Sequence, residues 1–207
     1  MPFPILHPAV VVLAAGRSAR LGRPKQLVSK DGSTLLNRAL SAACDAGLGP
    51  VYAIIGSDAE TICDELAGLP ARAVFNDGWH EGIASSIRCG VHHAISDNQD
   101  TDGILFMACD QPAVTSDTLR NLMEIREKAD APLAACSYGG THGIPALFHG
   151  SLFDELIALK GDAGAKQVML SRIREAVFLD FPEGVTDIDT EAECIAWLTE
   201  KKEREKA

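Results

Sequence analysis

The run Ala9-Val-Val-Val-Leu13 holds no polar residue, is β-branched at its centre, and stops at three small residues, Ala14-Ala15-Gly16. Such a run reads as a strand buried on both faces, and strands of that kind belong to parallel sheets covered by helices on each side. The pattern recurs at Val51-Tyr-Ala-Ile-Ile55 and Gly103-Ile-Leu-Phe-Met-Ala108, with shorter strands at Ala73-Val-Phe75, Leu133-Ala-Ala-Cys136 and Ala146-Leu-Phe148. Between them apolar residues repeat at helical spacing. Leu35, Leu36, Ala39, Leu40 and Ala43 mark one helix, closed by Gly47. Asp58 stands where it would cap a helix through Ile62 and Leu66. A further helix covers Ser85 to Ile95, and Thr115 or Ser116 caps one through Leu119, Leu122 and Ile125. The alternation predicts an α/β sandwich around a mainly parallel, mixed central sheet. Ligands of such sheets collect beyond the carboxyl ends of the strands. The loops after Leu13, Ile55, Phe75 and Ala108 are therefore the candidate binding loops.

Charge singles out the first of them. The chain has 207 residues, 19 Lys+Arg, 29 Asp+Glu and a formal net charge of -10. Residues 1–30 contain Arg17, Arg20, Arg23, Lys25 and Lys30 and no acid at all. An acidic body argues against nucleic acid or an anionic membrane as partner, while leaving room for a small anion at the basic segment. A hydrophobic fraction of 46% excludes a disordered chain. The length predicts a single domain over 1–207, with a core of about 8–199 and a charged tail from Glu200 that reads as a frayed helix end. No stretch approaches the roughly 20 apolar residues that span a bilayer. Cys44, Cys63, Cys89, Cys109, Cys136 and Cys194 form no C-x-x-C pair. With no signal-peptide pattern at the N-terminus, they read as free, packed thiols of a cytoplasmic protein.

Small residues at 14, 15 and 16 let backbone N–H groups approach a ligand, and such nests bind phosphate oxygens. Arg20 and Lys25 add positive charge at fixed offsets. The dinucleotide fingerprint G-x-G-x-x-G does not fit, since five residues separate Gly16 from Gly22. The Walker pattern fails as well, because Arg23-Pro24 precede Lys25 and Gln26 stands where Ser or Thr belongs. Four cations in nine residues repel one another unless an anion offsets them, which favours a triphosphate cradle over a solvated turn.

Leu13, Ala14, Ala15, Gly16, Ser18, Arg20, Gly22, Pro24 and Lys25 spell L-A-A-G-x-S-x-R-x-G-x-P-K. This resembles the opening motif of nucleotidyltransferases that move NMP from an NTP onto a phosphate. With Cys109-Asp-Gln-Pro112, G-x-P-x-L-F at Gly143–Phe148, Gly161-Asp-Ala-Gly-Ala-Lys166 and Asp187-Ile-Asp-Thr190, the pattern is similar to the molybdenum cofactor cytidylyltransferases of the MobA-like group. The resemblance runs from about Val10 to Trp197. It departs at Leu21, where Met is usual, and at Thr141-His-Gly-Ile144, an uncommon form of the acceptor loop. Ala15 and Pro24 stand where guanylyl-transferring relatives usually carry Gly and Asp, which points to CTP.

The resemblance implies a Rossmann-like fold of the nucleotide-diphospho-sugar transferase type, with Mg²⁺ as cofactor. It implies CTP and a molybdopterin-type phosphate as substrates, and a molybdoenzyme or its maturation chaperone as a transient partner. Leu13 to Ser18, Lys25, Gly56, Asn76, Ser85 and Ser86 would hold the nucleotide. Arg20, Lys25 and Asp110 would be catalytic. Asp110 ends a strand, where it could ligate Mg²⁺ or cap the next turn. Asp189 would be the second ligand; Asp187 shares its face if the segment is a strand, and Thr190 with Glu193 reads as a capping box. Asn76, Ser85 and Ser86 suit ribose or base contacts, or an Asx-turn and a helix cap. His142, Asp162 and Lys166 fall on the acceptor side, with Asp162 alternatively a plain helix cap. His142 is a poor general base, since a phosphate acceptor is already ionised. Two other functions stay open: transfer to a sugar 1-phosphate or another small phosphate, and a non-catalytic nucleotide-binding or cofactor-delivery protein.

Overall fold

The computed structural model describes residues 3–5 and 7–200. The predicted tail beyond Glu200 lies outside the described residues. The strands are β1 (Pro8–Leu13), β2 (Ser29–Lys30), β3 (Ser33–Thr34), β4 (Val51–Ile55), β5 (Ala71–Phe75), β6 (Gly103–Ala108), β7 (Leu133–Tyr138), β8 (Thr141–His149) and β9 (Ala176–Asp180). The helices are α1 (Leu35–Ala46), α2 (Ala59–Cys63), α3 (Ile83–Asp97), α4 (Ser116–Ala129), α5 (Phe153–Ile157), α6 (Lys166–Ser171) and α7 (Glu191–Thr199). Seven strands form one sheet in the order β5-β4-β1-β6-β8-β7-β9, and β8 alone runs against the rest. The mainly parallel, mixed sheet of the sequence reading is what the chain builds.

Every residue of β1 is buried, and its side chains serve two cores by alternation. Val10 and Val12 meet Leu36 and Leu40 of α1 and Leu119 and Leu122 of α4. Ala9, Val11 and Leu13 meet Ile87 and Val91 of α3, with Leu156 of α5 and Val168 of α6 on the same side. Two helical layers thus enclose the sheet. At about 1.5–3 kcal/mol per fully buried branched side chain, this double burial is what keeps an uninterrupted apolar run in the sheet.

A third, smaller cluster joins Leu21, Val28 and Leu35 to Ile188, Cys194 and Trp197. It pins α7 onto the segment that follows β1. Thr190 caps α7 in the expected box, its hydroxyl accepting from Glu193 N–H while the Glu193 carboxylate accepts from Thr190 N–H. Thr115 caps α4, and Gly47 closes α1 in the left-handed conformation at φ 67°.

Three local expectations need correction. Asp58 precedes α2 but makes no side-chain cap, because its own backbone is left-handed at φ 60°. Asp162 does not cap α6, whose preceding residue is Ala165. Residues Asp187–Asp189 belong to no strand; Ile188 is buried and its N–H donates to Asp110 O at 3.0 Å. β9, and the two-residue pair β2–β3, were not foreseen.

Candidate active site

Leu13 and Ala108 are register partners at the carboxyl ends of adjacent parallel strands, so the loops 14–25 and 109–112 leave the sheet side by side. Between them and the start of α3 lies a cleft of about 380 Å³. Leu13, Ala14, Ala15, Gly16, Arg17, Lys25, Ser86, Asp110 and Asp162 line it, together with Gln26, Trp79, His80, Gly82, Ile83, Cys109 and Ile144.

The loop after β1 is held from inside. Gln26 is 1% exposed, and its Nε2 donates to Ala14 O at 2.6 Å and Gly16 O at 3.1 Å. Ser18 sits in the left-handed region at φ 52°, and its Oγ accepts the Lys25 N–H at 2.9 Å. Among the described residues, the N–H groups of Ala15, Gly16, Arg17 and Ser18 have no hydrogen-bond acceptor. Successive unpaired N–H donors are what an anion cradle requires. Gln26→Leu should leave two carbonyls without donors. Unfolding by urea should show a loss of about 1–3 kcal/mol. Stability unchanged from wild type would mean the amide does not shape the loop.

Lys25 carries the centre of the site. Its ammonium donates to Asp110 Oδ2 and, at 2.7 Å, to Asp189 Oδ1. Arg20 pairs with the other oxygen of Asp189. Burial opposes the charge of Lys25, but Asp110 and then Asp189 outweigh it and raise its pKa well above the lysine range. Burial likewise opposes the charge of Asp189, yet Lys25 and Arg20 hold its pKa below the usual carboxylate value. Asp187 is raised, by partial burial first and then by Asp110 and Asp189. Burial, then Asp110, pushes the Cys109 thiol up to about 12, which leaves it inert.

Intramolecular pairing changes the electrostatic expectation. Asp110, Asp189 and Glu191 offset Lys25, Arg20 and Arg23 within the chain. Of the four cations from Arg17 to Lys25, only Arg17 lacks a carboxylate partner among the described residues. Mutual repulsion therefore does not by itself demand a bound anion; the unpaired N–H donors argue for one more strongly.

The two carboxylates predicted to hold a metal converge on one cationic position, now filled by the Lys25 ammonium. Among the described residues no cluster of three or more His, Cys, Asp or Glu is placed to hold a metal ion. Two carboxylates alone fit Mg²⁺, which is usually held by one or two of them plus substrate phosphates.

Other predicted residues lie elsewhere. Asn76 and Ser85 are buried behind the cleft wall: Asn76 Nδ2 donates to Ser85 Oγ at 2.9 Å and Ser86 Oγ at 3.1 Å, and its Oδ1 accepts from Gly78 N–H. These contacts brace the loop from β5 to α3 and leave the Asn76 amide no free donor for a nucleotide. Gly56 is buried beneath Trp79 and lines no part of the cleft. Ser18 faces a second groove on the outer side of the loop, and the Arg20 side chain is 70% exposed. His142 and Lys166 line an adjoining apolar pocket of about 300 Å³, which shares Leu13, Ile83 and Ile144 with the cleft. His142 stacks on Phe178 at 3.8 Å, its Nδ1 buried without a partner, and Lys166 Nζ donates to Thr141 Oγ1 at 2.6 Å.

Sequence reasoning missed Gln26, Trp79 and Gln111. Gln111 donates to Gly184 O at 3.2 Å, and with the Ile188 bond it ties the Asp189 segment to the Asp110 turn. For the two glutamines the available signal was a nearby Pro, Pro24 two residues before Gln26 and Pro112 directly after Gln111, since an amide fixed in a turn and buried must find backbone partners.

The chain is similar in sequence and fold to known proteins. The chain is 27% identical over 193 residues to the purine catabolism protein PucB of Bacillus subtilis, covering 88% of this chain and 92% of that protein. It is 29% identical to the nicotine blue oxidoreductase of Paenarthrobacter nicotinovorans over 87% of this chain and 91% of that one. It is 28% identical to a probable molybdenum cofactor guanylyltransferase of Bacillus cereus over 73% of this chain and 72% of that one. Among solved structures, Rv0371c of Mycobacterium tuberculosis superposes with a TM-score of 0.79 at 29% identity, over 95% of this chain and all of that one. Its manganese complex does so with a TM-score of 0.74 at 28% identity, over 93% of this chain and 98% of that one. The fold is that of the nucleotide-diphospho-sugar transferases. Residues 10–176 match the MobA-like NTP transferase domain, and the chain belongs to that family of nucleotidyltransferases.

Proposed function

We propose that the chain transfers CMP from CTP to the terminal phosphate of a molybdopterin-type cofactor, releasing pyrophosphate and forming the cytosine dinucleotide. The observation that carries this reading is Lys25 seated on both Asp110 and Asp189 beside four unpaired loop N–H groups. The loop N–H groups and Arg17 hold the triphosphate. Lys25 and Arg20 turn from the carboxylates to the charge that develops on the leaving pyrophosphate. Asp110 and Asp189 would then hold Mg²⁺, which supplies charge neutralisation at the phosphates. A divalent ion also accompanies the related Rv0371c in its manganese complex. The acceptor phosphate is already ionised, so the chain needs to position it rather than deprotonate it. Asp162 on the cleft, and His142 and Lys166 in the adjoining pocket, lie on the side from which it would approach. The choice of CTP rests on Ala15 and Pro24 in the loop motif. Delivery of the product to a molybdoenzyme, directly or through its chaperone, completes the reading.

A panel of four NTPs with Mg²⁺ and purified molybdopterin, scored for pyrophosphate, tests it. Release is expected with CTP above the other three. A preference for GTP or ATP would overturn the cytidylyl assignment. Release with sugar 1-phosphates but not molybdopterin would move the acceptor, and CTP binding with no release would leave a binding or delivery protein.

A further inference from the structure

Trp79 stands on the rim between the cleft and the outer groove and lines both. It reads from the sequence as packing, yet it is only half-buried. Its position is fixed from several sides. Trp79 N–H donates to Asn76 O at 3.1 Å, and Asn76 is locked by Ser85 and Ser86. Beneath it a Cβ on Gly56 would lie 2.6 Å from Trp79 Cβ and 2.9 Å from Ala15 O. Only glycine there lets the indole seat against the end of β4 and the phosphate loop. The indole N–H has no acceptor among the described residues, and the Arg17 guanidinium lies over the ring, 5.8 Å from its centroid. Arg17 is the loop cation left without a carboxylate.

We infer that Trp79 is the platform on which the nucleobase stacks, and that the base takes the place of the Arg17 guanidinium on the indole. Arg17 is then free to turn to the triphosphate. The inference rests on the reading that an NTP occupies the cleft. Every base has a π-face, so the platform sets affinity and orientation rather than base identity. It also couples the two ends of the nucleotide, since one event seats the base and releases a cation for the phosphates.

The chain has 2 tryptophans, so a Trp197→Phe variant reports Trp79 fluorescence alone. Titrations with CTP and Mg²⁺, without acceptor, are set beside inorganic triphosphate, with calorimetry on the wild type giving both affinities. CTP is expected to quench Trp79 saturably, and triphosphate, which draws Arg17 from the ring without stacking on it, to change the emission in a different way. Trp79→Leu should weaken CTP by about tenfold and triphosphate by less than about twofold, while Trp79→Phe recovers most of the loss. CTP binding with unchanged emission would overturn the platform and spare the nucleotide reading. Equal weakening of CTP and triphosphate by Trp79→Leu would do the same. A wild-type chain that binds no NTP would overturn both.

Discussion

Alanine at position 25 is expected to lower turnover at saturating nucleotide by about 10²–10³-fold, with a much smaller change in nucleotide affinity. The Lys25 side chain is 15% exposed, and its charge is favoured by two carboxylates against the cost of burial. A cation held in that state stays charged despite its burial and stands at the cleft before it turns to substrate. The substitution has a second consequence. Asp110 and Asp189 would face each other without the Lys25 ammonium between them, and two like charges at one position repel, with only Arg20 left to offset Asp189. The pair should then take up Mg²⁺ without nucleotide more tightly than the wild type does. Single-turnover kinetics reads the first effect and calorimetry with Mg²⁺ the second. Wild-type turnover in the variant would remove Lys25 from the chemistry, whatever the metal does.

Trp197→Ala should bring the largest loss of stability, about 3–5 kcal/mol. Trp197 is buried in the cluster that holds α7 against Leu21, Val28 and Leu35. Lys30 and Arg38 both lie over its ring, at 5.2 and 5.6 Å. The cost is not confined to packing, because Asp189 immediately precedes the cap of α7. A loosened helix gives Asp189 more freedom, so activity should fall even where the chain stays folded. Urea unfolding, with activity measured well below the transition, separates the two. A loss under about 1 kcal/mol would show that α7 is anchored by its cap and the Ile188 bond instead.

The strands that position the site were legible because burial on both faces leaves an unbroken apolar run, as in β1, β4 and β6. β9 escaped because it is an edge strand, half-buried along Ala176–Leu179. The loop after β1 was legible as a candidate site from Ala14 to Lys25 because small residues and fixed cations are local chemistry. What its groups touch was not. Gln26 acts through carbonyls ten and twelve residues away, and Lys25 through carboxylates 85 and 164 residues away. Asn76, Ser85 and Ser86 lie together, and their hydrogen bonds run to one another. Asp58 shows the limit of reading caps from residue type, since a left-handed backbone moves the carboxylate out of capping position.

The pairing of Arg20 and Lys25 with Asp189 spans 169 and 164 residues. During synthesis the sheet has all seven of its strands once Asp180 has emerged, while the carboxylate that completes the cationic loop is still to come. A nascent chain at that stage can have its scaffold and expose Leu21, Val28 and Leu35 beside an unpaired loop. In synthesis from the N-terminus, the site therefore cannot be complete until the Asp189 segment has emerged. Truncated chains are left with an apolar patch where complete ones have α7, a difference that chaperones and proteases can act on.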